Sequence, residues 1–280
     1  MPDALRLALG TLTAIRVPAP RTVDRRTSGR AMLLAPFVGT LLALLAGVVI
    51  AAVRIFATAE RPASTVDLLA AVLGITVLAL LTRGLHLDGL ADLADATGVK
   101  GVGDAARERR LAVMREPAVG AFGVAAMVLT VLLQVTALTE CSVAHYGTVA
   151  LLTAVTSSRL AATWACTVGV PSARPEGLGA LVSGSVSRRA ALAVTVVVLL
   201  GAAALGRFDD DGTLQMSGTL VVAALVALAV GWFVRRRAER LLGGVTGDVL
   251  GAIIELATAA ALVTTAIGAD LDLSHLVLTW

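Results

Sequence analysis

Long apolar runs separated by short, arginine-rich polar stretches dominate the chain. Hydrophobic segments occupy about residues 32–53, 66–82, 120–139, 148–169, 190–206, 218–234 and 249–268. Each reaches or approaches the roughly 20 residues that an α-helix needs to cross a hydrocarbon core. Runs of this kind are helical, because in lipid the backbone must satisfy its own N–H and C=O groups. The pattern predicts an all-α, polytopic helical integral membrane protein, a single membrane domain over residues 1–280 with about seven transmembrane helices. Segment 3–15 differs: Asp3 and Arg6 interrupt its leucines. It predicts an N-terminal interfacial helix, and not a cleavable signal peptide.

Composition agrees. Hydrophobic residues make up 57% of the 280 and charged residues only 15%, against about a quarter charged in a soluble domain. The net charge of +3 is too small to argue for nucleic acid as a partner. Cys141 and Cys166 match no zinc spacing. The distribution of basic residues is more informative, because seven spans create alternating loops. Nineteen of the 23 lie in the N-terminal stretch and the loops at about 83–119, 170–189 and 235–248. The other side has Arg54, Arg61 and Arg207, the acidic "DDDG" at 209–212, and Asp270 and Asp272. The positive-inside rule then places the N-terminus and those three loops in the cytoplasm and the C-terminus outside. No internal repeat is visible, which argues against a transporter built from two related halves.

Those cytoplasmic loops carry the chemistry. In "RGLHLDGLADLADATG", residues 83–98, helical geometry puts Asp88, Asp92 and Asp95 on one face. Three carboxylates on one face repel, a cost that a divalent cation reverses. Magnesium suits them, since it commonly bridges one or two carboxylates to substrate phosphates. His86 is a candidate proton acceptor. Downstream, "RERRLAVMREPAVGAFG" offers Arg107, Arg110 and Arg115, whose planar forks match phosphate oxygens. Arg174 and Glu176 in "ARPEGLG", and Thr246 and Asp248 in "GGVTGD", emerge on the same side, with Glu255 two helical turns past Asp248. Arg159 lies inside an apolar segment, where an ionised group is costly and usually functional. A carboxylate wall facing arginines describes a magnesium-assisted phosphoryl-transfer site, and the same parts would also serve an anion transporter.

Taken together these motifs resemble the cobalamin synthase family, the adenosylcobinamide-GDP ribazoletransferases. The resemblance is carried by "LTAIRVPAP", "GLHLDGLADLADA", "RERRLAVMREPAVGAFG", "ARPEGLGALVSG" and "GGVTGDVLGAIIEL", in the family's order from about residue 8 to 260. It implies a multi-pass inner-membrane enzyme of the last assembly stage of vitamin B12. Such an enzyme uses Mg²⁺ to join adenosylcobinamide-GDP to α-ribazole or its 5′-phosphate with release of GMP. For the step itself the expectation is that the ribazole 5′-hydroxyl attacks the phosphorus attached to cobinamide. His86, Asp88, Asp92 and Asp95 fall in the family's acidic motif, Arg115 and Gly120 in its "MR…G" segment, Arg174, Glu176 and Gly177 in "AR-EG", and Thr246, Gly247, Asp248 and Glu255 in the last. The resulting expectations are a catalytic set of His86, Asp88, Asp92 and Asp95. Metal ligands are drawn from Asp88, Asp92, Asp95, Asp248 and Glu255, and phosphate contacts from Arg110, Arg115, Arg159, Arg174, Glu176 and Thr246. Partners are the two substrates and the lipid bilayer, with room for a homo-oligomer. Three positions depart from the family pattern: Arg83 where a second glycine is frequent, "MREPAVG" for "MRDSRIG", and Ile254 where a polar residue is common. A phosphatidyl-type alcohol phosphotransferase is the nearest rival, but its "DG…AR…G…D…D" order is absent.

Overall fold

The computed structural model describes residues 1–57, 63–207 and 214–270. Arg61, the "DDDG" run at 209–212 and Asp272, all used above for orientation, lie outside the described residues. The helices are α1 (Asp3–Leu12), α2 (Arg25–Phe56), α3 (Ala63–Leu81), α4 (Leu85–Gly98), α5 (Asp104–Val113), α6 (Ala121–Val143), α7 (Gly147–Trp164), α8 (Leu178–Val182), α9 (Arg188–Leu205), α10 (Leu214–Leu242) and α11 (Gly247–Asp270). Among the described residues there is no strand, only isolated bridges pairing Thr167 with Val186 and Ser172 with Val245.

Among the described residues six helices, α2, α3, α6, α9, α10 and α11, are long and apolar enough to cross a membrane. The seventh expected span coincides with α7, which is of a different kind. Its 18 residues reach about 27 Å at about 1.5 Å per residue, but they include Thr153, Ser157, Ser158, Arg159 and Thr163, all buried. α7 packs against α2, α10 and α11, so its polar groups meet protein and not lipid. Outward-facing positions on the other helices are apolar, among them Leu44 and Val48 of α2, Leu129 and Leu132 of α6, and Val196 and Leu200 of α9.

The axis of the bundle is α11, 61% of whose span is buried against 11% for α9. It touches α4, α6, α7 and α10. Its crossing with α4 is unusually close. A Cβ on Gly89 would stand 2.6 Å from the Asp248 carbonyl oxygen, and one on Gly251 3.0 Å from the His86 Cα. Small residues are what allow two helix backbones to approach this closely.

Local chemistry sets the ends of the elements. The Asp24 side chain accepts from Thr27 N at 2.6 Å and starts α2, and Ser187 does the same for α9 through Ala190 N at 3.2 Å. The turn between α3 and α4 is made by Arg83 (φ 56°) and Gly84 (φ 68°) in succession. This left-handed backbone favours glycine, which is the physical reason a second glycine belongs where this chain has Arg83. The Arg83 guanidinium donates to Gly10 O and Thr13 O, both at 3.4 Å. α1 buries Leu7, Ala8 and Leu12 and packs on α2. At the opposite end of the bundle Arg54 Nε lies 3.1 Å from Asp67 Oδ1 and Nη2 donates to Ser142 O at 3.3 Å, joining α2, α3 and α6.

Candidate active site

The α4–α11 crossing brings acid and base together. Asp88 and Asp92 lie one turn apart on α4, Asp88 exposed and Asp92 half-buried. Gly89, between them, rests on Asp248 in the first turn of α11. Asp248 Oδ2 is 3.5 Å from Arg174 Nη1 and accepts from Thr246 Oγ1 at 3.2 Å. Arg174 reaches this point because its loop is pinned to the one before α11: Ala173 N donates to Val245 O at 3.0 Å and Val245 N to Pro171 O at 2.9 Å. Burial first, then the charges of Asp248 and Asp88, push the Asp92 carboxyl up to about 6, with Arg174 opposing. Asp88, Asp92, Asp248 and Arg174 thus share one electrostatic neighbourhood, and like charges crowd it.

Other expected residues are turned elsewhere. Both oxygens of Asp95 are taken by α6: Gly120 N donates to Oδ2 at 2.7 Å and Gly123 N to Oδ1 at 2.9 Å. Asp95 is therefore a cap for a helix start, with one backbone N–H on each of its oxygens. Thr246 is the corresponding cap of α11, its Oγ1 accepting from Val249 N at 3.2 Å, so its hydroxyl is committed to protein. Arg110 is buried and donates through Nη2 to Val99 O (2.9 Å) and Gly101 O (2.8 Å), clamping the α4–α5 loop. Arg115 and Glu176 are exposed, with no side-chain partner among the described residues.

A second polar cluster lies inside the bundle. Glu255, too far along α11 to join Asp248, accepts from Gln134 Nε2 at 2.8 Å, and its Oε1 is 4.0 Å from His86 Nδ1. Arg159 supplies the facing positive charge, donating to Ser158 Oγ at 3.2 Å. Burial and the charge of Arg159 lower the His86 imidazole to about 3, so it is neutral, and its Nδ1 is buried without a hydrogen-bond partner. Charges inside a bundle pair with one another or with hydrogen-bonding groups, and these do. Glu255, expected as a metal ligand, and Arg159, expected as a phosphate contact, sit instead in this internal polar cluster beneath α4.

Residues 4–266 match the protein family described as cobalamin-5-phosphate synthase. The chain belongs to that family. It is 46% identical over 271 residues, 96% of each chain, to an adenosylcobinamide-GDP ribazoletransferase of Frankia casuarinae (strain DSM 45818 / CECT 9043 / HFP020203 / CcI3). It is 41% identical to one of Nocardioides sp. (strain ATCC BAA-499 / JS614), covering 95% of this chain and 99% of that one. The ribazoletransferase of Pseudomonas aeruginosa (strain UCBPP-PA14) is 36% identical over 95% of this chain and 100% of its own. No solved structure matches.

The chain contains two features that sequence reasoning missed. Gln134 is a lone amide in the apolar α6, and that oddity alone was its signal. The approach of Arg107 to Gly243, with Arg240 lining the same cavity between α5 and α10, had none, because the residues are more than 130 positions apart.

Proposed function

We propose that this chain transfers the cobinamide phosphate of adenosylcobinamide-GDP to α-ribazole or its 5′-phosphate, releasing GMP and forming adenosylcobalamin or its 5′-phosphate. The observation that carries the reading is the convergence of Asp88, Asp92, Asp248 and Arg174 at the α4–α11 crossing. With the 5′-phosphate as acceptor, in keeping with the family description, the 5′-oxygen already bears phosphate, and in this reading the attacking hydroxyl is another one of the ribose.

The acidic set fits Mg²⁺. Among the described residues no three His, Cys, Asp or Glu side chains converge closely enough to hold a metal by themselves. Magnesium needs only one or two carboxylates when waters and substrate phosphates fill the remaining positions, and crowded carboxylates gain from a cation. Asp88, Asp92 and Asp248 would hold it, and it would supply positive charge to the diphosphate. Arg174, anchored through Leu111 O at 3.3 Å, is fixed to stabilise charge on the departing GMP. Catalysis of this type is mostly positioning and electrostatics. With His86 buried, neutral and far below the operating pH, the proton of the attacking hydroxyl falls to a carboxylate of α4.

In this reading α1 lies at the cytoplasmic interface of the cell membrane, and the site faces the cytoplasm. Purified protein supplied with Mg²⁺, α-ribazole 5′-phosphate and adenosylcobinamide-GDP releases GMP, and Asp92→Asn loses that activity. No GMP from the wild type, or an equal rate from the variant, overturns the assignment. Val102, 95% exposed in the α4–α5 loop, tests orientation: Val102→Cys labels only from the cytoplasmic side, and labelling from outside inverts the topology.

A further inference from the structure

A cavity of about 250 Å³ that includes none of Asp88, Asp92, Asp248 and Arg174 in its lining is walled by Arg107 and Arg110 of α5, Arg240 at the end of α10, Gly101–Asp104 and Gly243. Three guanidiniums face one carboxylate, Asp104. Arg107 and Arg240 have no ion-pair partner among the described residues, and Arg107 lies flat against Gly243, where any Cβ would strike its guanidinium. Arg110 is only 7% exposed; its Nη2 is committed to Val99 O and Gly101 O, while its Nε has no hydrogen-bond partner. A buried donor left unmade is costly unless something else satisfies it. The cavity also receives the start of α5, whose N-cap is Gly103 with no side-chain cap. The first N–H groups of that helix are thereby left for an anion. Several donors, a net positive wall and a helix N-terminus together suit a phosphate monoester dianion.

The position relative to the acidic site narrows the choice of phosphate. Arg107 lines the cavity, while Leu111 O on the same helix holds Arg174, which pairs with Asp248. Four residues of helix separate the two points, about 6 Å along the axis at about 1.5 Å per residue. The reacting phosphorus is one of the two phosphates of the GDP-activated substrate and the other is joined to it through a single bridging oxygen, so both belong with Asp88, Asp92 and Asp248. A phosphate on the far side of a ribose is the one that reaches a second pocket.

We infer that the Arg107–Arg110–Arg240 cavity binds the 5′-phosphate of the acceptor and selects phosphorylated over unphosphorylated ribazole. This rests on the transferase reading above. The test measures kcat/KM for α-ribazole 5′-phosphate and for α-ribazole in the wild type, Arg240→Ala and Arg107→Ala. It adds the inhibition constant of GMP and direct calorimetric binding of inorganic phosphate. Arg240 is at the solvent-exposed end of α10, so its variant is not expected to unfold the protein. The expected result is a preference for the phosphorylated acceptor that falls about 10-fold or more in each variant, as loss of a charge-assisted hydrogen bond implies. GMP inhibition stays unchanged, and phosphate binding is lost in Arg240→Ala. An unchanged acceptor preference overturns the proposal, and so does a variant that weakens GMP inhibition in its place, which would make the cavity a nucleotide site. If the wild type turns over neither acceptor, the transferase reading fails; phosphate binding then decides the cavity by itself, and an equal affinity in Arg240→Ala rejects it.

Discussion

Gly89→Ala puts the α4–α11 contact to a direct test. The new Cβ would stand 2.6 Å from the Asp248 carbonyl oxygen and 2.7 Å from its Cα, where ordinary contact begins at 3.4 Å, a shortfall of about 0.8 Å. The opposing atoms are backbone and cannot rotate away, so the two helices must part. Overpacking of this kind costs about 1–3 kcal/mol, offset in part by the roughly 1 kcal/mol that alanine gains over glycine in a helix. Activity suffers more than stability, because the displacement falls between Asp88 and Asp92 on one side and Asp248 on the other. A misplacement on the order of 1 Å in a catalytic constellation costs up to about 100-fold. GMP release by Gly89→Ala should therefore fall between about 10- and 100-fold in kcat/KM while most of the protein remains folded by thermal unfolding. Gly47→Ala is the control, since a Cβ there meets nothing within 4 Å, and its turnover should match the wild type. Wild-type turnover by Gly89→Ala would refute the argument that this crossing assembles the site.

Further outcomes follow from the same geometry. Because the Asp92 carboxyl is raised to about 6 from its ordinary value of 3.8, the cation-free folded state holds a proton there that the unfolded chain has lost. Its contribution to stability is present below about pH 4 and is lost as pH rises through about 6; Mg²⁺ should remove this dependence, and a pH-independent unfolding temperature without the cation would contradict it. Asp95→Ala frees two N–H groups of α6 and should cost about 1–2 kcal/mol in unfolding without weakening Mg²⁺ affinity; weakening comparable to that in Asp88→Asn would restore Asp95 to the ligand set. Arg54→Ala leaves the buried Asp67 without its ion-pair partner and should lower stability by about 1 kcal/mol, kept modest because the Arg54 side chain is 36% exposed. Its kcat per folded molecule should be unchanged, since the pair sits at the end of the bundle away from α4; a loss of kcat at full folding would deny that separation.

The spans were legible because each carries its own signal, a run of apolar residues as long as a bilayer is thick. α7 was placed correctly but its character was hidden, since Ser157 and Arg159 look like interruptions of a lipid-facing helix until α2, α10 and α11 surround them. The acidic motif was legible as one face of α4, and the i, i+4 pair Asp88 and Asp92 kept that face. Asp95 did not. Periodicity reports which side of a helix a residue occupies but not what stands opposite, and opposite Asp95 stand the N–H groups of Gly120 and Gly123. Glu255 failed for a related reason: sharing a face with Asp248 over two turns places it deep in the bundle, level with Gln134 and Arg159. Ile254, unexpected beside it, is 1% exposed and packed in the core.

The enclosed α7 has a consequence for how the protein is made. When synthesis has just passed Trp164, α2 is available to cover Thr163, whose hydroxyl donates to Met32 O at 2.6 Å, but α10 and α11 do not yet exist. Arg159 then has no Glu255 to face, and the hydroxyls of Ser157 and Ser158 have hydrocarbon for a neighbour. The nascent chain must hold α7 beside the insertion machinery, or only partly inserted, until α11 emerges some ninety residues later. A ribosome stalled after α9 would leave Arg159 in an apolar segment with neither α10 nor α11 to enclose it.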